Sequence, residues 1–129
     1  VLYSLECEFD RNAVSENAEF LHGYLVIGKT EIDSAASRTE ILDAVRDDIA
    51  NGSEIYNCFD PHHAIRIIHE DTTNDIVICY KCRGYERTEN GKLKTTSYPM
   101  DVRSRDILNR ALKSHGIALS PAATEELKK

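Results

Sequence analysis

The sequence has no apolar run near the roughly 20 residues that a membrane-spanning helix needs. It shows no export signal of the usual three-part form. It has no excess of positive charge: 16 Lys and Arg against 22 Asp and Glu leave a net charge of −6. That disfavours nonspecific nucleic-acid binding, which needs cations clustered along the phosphates. Arg83, Arg87, Lys92 and Lys94 are locally basic, but Glu86 and Glu89 are interleaved, so the group reads as a solvated face. Internal repeats, linkers and low-complexity stretches are absent too. What is present is 129 residues with 41% hydrophobic and 29% charged content, a globular rather than a disordered composition. The length suits one domain, residues 1–129. A domain of this size can bury a core without metals or disulfides. The chain begins at Val1, which fits either a processed export signal or trimming, so the compartment has to be read from the cysteines.

Periodicity predicts an α+β domain. Residues 2–9 form a strand with Tyr3, Leu5, Cys7 and Phe9 inward. Residues 10–19 read as a loop, and 20–32 as a strand with bulges or close approaches at Gly23 and Gly28. Residues 23–30 spell the letters of a phosphate-binding loop, but Tyr24, Leu25, Val26 and Ile27 want an extended chain and no helix follows at once. Residues 34–50 carry Ile41, Leu42, Val45 and Ile49 on one helical face, with Ser37 and Glu40 as a capping box and Gly52 as the stop. Asp43, Asp47 and Asp48 read as a solvated face of that helix. Residues 54–59 form a short strand that ends at the Asp60-Pro61 turn. Residues 64–69 and 75–87 are strands joined by a turn at 70–74, and Asn90-Gly91 turns the second into 92–98. Residues 101–115 are a second helix ending at Gly116, Ser120-Pro121 caps one more turn, and residues 125–129 fray. The expected fold is an antiparallel sheet of five or six strands with a C-terminal meander. Two main helices cover one face, and a sheet of this kind can leave the other face wet.

Three of the four cysteines and three of the five histidines lie between Asn57 and Arg87. In a regular strand Cys79 and Cys82 would be about 10 Å apart on opposite faces. A disulfide needs about 4.4–6.8 Å. The candidate disulfide therefore runs from Cys58, returned by the Asp60-Pro61 turn, to Cys82 or, failing that, to Cys79. Matching apolar faces places His63 opposite Tyr80 or Cys82, as a buried core-edge histidine. If the strand instead breaks into a knuckle at Gly84, Cys58, His63, Cys79 and Cys82 make a Cys3His zinc set. A Cys58–His63 or Cys58–His62 nucleophile oriented by Asp60 is the hydrolase alternative. His62 otherwise reads as an exposed turn residue.

Cys58-Phe59-Asp60-Pro61-His62-His63, with Ile76-Val77-Ile78-Cys79-Tyr80-Lys81-Cys82, resembles a family of small uncharacterised bacterial proteins. Those proteins read Cys-Phe-Asn-Pro-Arg-His-Gly and Val-Ile-Cys-Phe-x-Cys. Residues 20–30 and 101–119 are similar to that family as well, and His62, Ala64 and Tyr80 depart from its pattern. The resemblance implies export and hence disulfides, and it implies no activity. With no complete catalytic set, the expected function is a non-enzymatic domain of the periplasm or extracellular space. It would bind a protein or envelope partner, in the manner of an inhibitor or immunity protein, with no cofactor. The cytoplasm stays open as a location.

Overall fold

Asn90 and Gly91 both take positive φ, 48° and 82°, the geometry that a two-residue hairpin turn requires. They join β6 (Gly84–Glu89) to β7 (Lys92–Pro99). His22 and Gly23 do the same, at 50° and 88°. The single strand expected over 20–32 is thereby folded into β2 (Phe20–Leu21) and β3 (Tyr24–Thr30). The computed structural model describes residues 1–56 and 58–127. The strand expected over 54–59 includes Asn57, and the fraying expected at the C-terminus includes Lys128 and Lys129; these three lie outside the described residues. The described residues of 54–59 are not in a strand.

β1 (Leu2–Glu6), β4 (His63–His69) and β5 (Thr72–Cys79) complete an antiparallel sheet in the order β2-β3-β1-β4-β5-β6-β7. Seven strands replace the expected five or six. One reason is the His22-Gly23 turn, and the other is that residues 75–87 break at 80–83 into β5 and β6. β1 is shorter than expected, so Cys7 and Phe9 leave the sheet. A bulge opposite Ser4 and Leu5 skips Ile27. Beside it, a Cβ on Gly28 would sit 2.9 Å from Ile117 Cγ2. The turn from β4 to β5 has only two residues, with Glu70 at positive φ, so His63 pairs with Ile78. The longer turn read from the sequence would have placed it opposite Tyr80 or Cys82.

α1 (Ala35–Ala50) is capped by Ser34, whose Oγ accepts the Ser37 N–H at 3.3 Å. The cap is therefore three residues earlier than the capping box at Ser37 suggested. Gly52 is fixed by close approach, because a Cβ there would overlap the Pro99 carbonyl group. α2 (Arg105–Ser114) is followed by Gly116 at φ 73°, and Ile117 N–H returns to Leu112 O at 2.9 Å, the glycine-terminated ending its sequence called for. Pro121–Thr124 adds one 3-10 turn.

Both helices pack on one face. Ile41 and Val45 of α1 and Leu108 and Leu112 of α2 meet Leu2, Ile65 and Ile78 of the sheet. The opposite face is not simply open. Tyr3, Leu5, Leu21, Ala64 and Val77 form a second buried cluster, with Tyr24, Val26 and Phe59 against it. No described helix is long and apolar enough to cross a membrane.

Candidate functional site: a three-cysteine cluster

β5 ends at Cys79 because the next four residues turn. Arg83 N–H bonds to Tyr80 O at 3.1 Å, Arg83 takes φ 56°, and Cys79 pairs with Gly84 across the hairpin. A Cβ on Gly84 would overlap the Ile55 side chain. This turn brings the Cα atoms of Cys79 and Cys82 to 5.3 Å, and the two are paired as a disulfide. The pairing expected from the sequence, Cys58 to Cys82 or Cys79, assumed a strand running through Cys82. The turn removes that assumption, and the pair is Cys79–Cys82.

Cys58 is nevertheless at the pair. Its Sγ lies 2.7 Å from Cys82 Sγ, closer than ordinary van der Waals contact between two sulfur atoms. The Cys58 segment is pinned there by the backbone. Tyr56 N–H donates to Cys82 O at 2.7 Å, and Cys58 N–H donates to Tyr56 O at 2.8 Å. Cys79 and Cys82 are fully buried, whereas Cys58 is exposed. Cys79 Sγ accepts two backbone N–H groups, from Cys82 at 3.1 Å and from Asp60 at 3.4 Å.

The fourth cysteine contacts Pro61 instead of the other sulfurs and is chemically quiet. Cys7 Sγ donates to Pro61 O at 2.9 Å. Burial pushes its thiol well above the usual range, and the neighbouring Asp60 adds to that. Its thiolate, the reactive form, is therefore scarce.

The two histidines go elsewhere. His62 is buried rather than exposed. Its Nδ1 is 3.4 Å from Leu5 O and its Nε2 is 3.4 Å from Asp60 Oδ2, though Nε2 makes no hydrogen bond. His63 faces the helices. Its Nε2 is 2.6 Å from Asn109 Oδ1, and its ring stands edge-on to Tyr80 at 5.1 Å. Burial drives the His63 ring down to about 4, against the opposing pull of the Asn109 hydrogen bond. It is therefore neutral at neutral pH. Among the described residues neither ring hydrogen-bonds Cys58, and no group of three or more His, Cys, Asp and Glu is arranged to hold a metal ion. The Cys58, His63, Cys79 and Cys82 zinc set is not assembled, because His63 is spent on Asn109.

Two polar clusters have no counterpart in the sequence reading. Asp48 was read as solvated but is buried. Its carboxylate accepts the N–H groups of Arg103 at 3.2 Å and Ser104 at 2.7 Å, at the start of α2. Ser104 Oγ bonds to the Tyr80 hydroxyl at 2.6 Å. On the other sheet face, Arg66 and Asp75 are direct cross-strand partners. Arg66 donates to both carboxylate oxygens, at 2.7 and 2.9 Å, and His22 Nε2 reaches Asp75 Oδ2 at 2.7 Å. Burial acts to raise the Asp75 carboxyl, but the hydrogen bonds and charges of Arg66 and His22 outweigh it and hold the group low. The signal for this pair was in the sequence: a two-residue turn at Glu70-Asp71 puts 66 opposite 75. A cleft of about 290 Å³ lies between α1 and the central strands β1 and β4, lined by Ile32, Ile41, Leu42 and Ile67. It shares no residue with the sulfur cluster.

Comparisons with protein families, curated proteins and solved structures found no match for the chain.

Proposed function

We propose that this chain is a redox-responsive domain of an oxidising compartment, in which three sulfur atoms share one disulfide. The observation that carries this reading is the Cys58 Sγ, 2.7 Å from a sulfur of the Cys79–Cys82 pair. Two features favour it over the hydrolase and zinc alternatives. The nearest neighbour of the Cys58 sulfur is another sulfur rather than an imidazole, and His63 is committed to Asn109. Size points the same way. A Cys79–Cys82 pair closes a four-residue loop, which contributes only about 2 kcal/mol by the chain-entropy relation. A domain of this length does not need that staple, so the pair is better explained by its chemistry. Persistent disulfides belong to exported or periplasmic proteins, and a protein partner would meet the domain through the exposed Cys58 segment.

The test is a thiol count on native protein with parallel metal analysis. Two titratable thiols, Cys7 and Cys58, with no metal and a Cys79–Cys82 disulfide in nonreducing peptide maps, are expected. Four thiols with stoichiometric zinc would replace this reading with the metal one. Four thiols without metal, one of them fast to alkylate at neutral pH, would favour the hydrolase.

A further inference from the structure

We infer that Cys58 is the shuttle through which the buried Cys79–Cys82 disulfide oxidises an external thiol. This rests on the redox reading above and adds an activity, a route and a substrate class. The argument begins with access. The two paired sulfurs belong to residues with no solvent exposure. A thiolate from outside has no direct line to them, yet exchange requires direct attack on a disulfide sulfur. The exposed Cys58 is within 2.7 Å of Cys82 Sγ and supplies the missing contact.

The direction of exchange follows from the hydrogen bonds. The Cys58 thiol loses its proton to water and its thiolate attacks Cys82 Sγ. The Cys58–Cys82 bond forms, the Cys79–Cys82 bond breaks, and the electron pair leaves on Cys79 Sγ. That sulfur already faces the N–H groups of Cys82, at 3.1 Å, and Asp60, and it also lies 3.4 Å from the Asp60 carbonyl oxygen, to which it donates once it has taken a proton from water. Donors of this kind stabilise the departing thiolate, and a stabilised thiolate leaves faster. No oxidation has yet occurred; one disulfide has moved to the surface. An external thiolate then attacks Cys58 Sγ, forming a mixed disulfide and releasing Cys82 as the thiolate, which takes a proton from water. A second external thiolate attacks the external sulfur of that mixed disulfide. The external disulfide leaves and the Cys58 thiolate is regenerated. The net change is two external thiols oxidised to one disulfide, and Cys79 and Cys82 reduced to thiols. Cys7 stays out of the relay because its hydrogen is held by the Pro61 carbonyl.

The experiment uses the whole chain, with excess reduced glutathione in one arm and a short cysteine-containing peptide in the other. Samples are quenched with acid, alkylated, and the thiols on Cys79 and Cys82 counted by mass. Cys58→Ser is expected to slow their appearance at least tenfold with at least one probe, and the probe that reacts faster with wild type identifies the source of the thiol. Cys58 is exposed, so the variant keeps the fold, which circular dichroism checks. Equal rates in wild type and Cys58→Ser, with a Cys79–Cys82 disulfide present at the start, overturn the shuttle and leave the redox reading standing. Four free thiols in wild type overturn both. A Cys79→Ser protein incubated with oxidised glutathione adds a rate-independent readout: it is expected to form a Cys58–Cys82 disulfide as the oxidised glutathione is reduced to two molecules of the thiol, and finding both of those cysteine thiols free in folded protein after that treatment overturns the proposed first step.

Discussion

His63 and Cys79 stand on adjacent strands and face opposite sides of one sheet, and the two sides handle buried polar atoms differently. On the helix side each group has a fixed partner. His63 meets Asn109, whose Nδ2 donates to Ala123 O at 2.9 Å, and Tyr80 meets Ser104, whose N–H is held by Asp48. Fully satisfied polar chains of this kind specify one arrangement. On the other side Asp75 is held as firmly, by Arg66 and His22, but the sulfurs have each other, and His62 Nε2 has no hydrogen-bond partner. The lesson is that the helix face is built for a single structure, while the other face, fixed at Asp75, holds at its sulfur end groups whose bonds can be exchanged.

The largest test of this contrast is acid. His63 is neutral in the fold down to about pH 4, the point to which burial pushes its ring, whereas an unfolded histidine titrates near about 6.5. Above about pH 6.5 both states are neutral and the group has no effect on stability. As pH falls below that, the unfolded chain takes up the proton first, so stability declines progressively until about pH 4 and then levels. The loss approaches about 3 kcal/mol. Urea unfolding across this window should show the decline in wild type and lose it in His63→Gln. A flat wild-type profile between about pH 6.5 and 4 would overturn the buried, neutral His63.

Breaking the sulfur side should cost less. Reduction of the Cys79–Cys82 pair is expected to lower unfolding stability by about 2 kcal/mol, the chain-entropy value for a four-residue loop, and to leave the far-ultraviolet circular dichroism spectrum in place. The bridge from Cys58 expected from sequence would close about 25 residues and contribute roughly 3 kcal/mol. Unfolding on reduction at neutral pH would make the pair a structural staple and blur the distinction between the two faces.

Much of the scaffold was legible because it depends on local signals. Ile41 and Val45, and Leu108 and Leu112, lie at helical spacing and are buried. Asn90-Gly91 and Gly116 sit at the positive φ values that their residue types favour. The gathering of Cys58 near Cys82 was expected from a turn at Asp60-Pro61, but residues 58–62 form no assigned turn and the backbone bond from Tyr56 to Cys82 O holds the segment there. What was not legible depends on turn lengths. The Tyr80–Arg83 turn is marked only by Gly84, inside a run whose β-branched residues argue for continuation, and reading through it reversed the expected cysteine pairing. The two-residue Glu70-Asp71 turn hides among five polar residues, and missing it shifted the β4–β5 register and concealed the Arg66–Asp75 pair. The burial of Asp48 depends on where α2 begins in space, and nothing within α1 announces that.

The smallest expected effect separates backbone from side chain at His22. This residue occupies the left-handed region at φ 50° in the β2–β3 turn, and its Nε2 reaches Asp75. Asn tolerates the same backbone region, so His22→Asn keeps the turn and removes only a contact that the shorter side chain cannot make. The His22 side chain is 31% exposed, whereas that of Asp75 is 5% exposed. Water replaces part of the lost hydrogen bond, and Arg66 still holds both carboxylate oxygens. The cost at neutral pH should therefore be about 1 kcal/mol, toward the lower part of the range for hydrogen bonds to charged groups. The sign with pH is fixed by Asp75, whose carboxyl is held low in the fold. Its stabilising contribution is complete above the unfolded carboxyl value near about 3.9 and is lost as pH falls through the lower folded value. The difference between wild type and His22→Asn should accordingly persist from pH 7 down to about 4 and shrink below that. This is the opposite end of the acid scale from the His63 window, so the two faces can be read separately in one titration series. A difference that stays constant below about pH 4 would mean that His22 does not act through the Asp75 carboxylate.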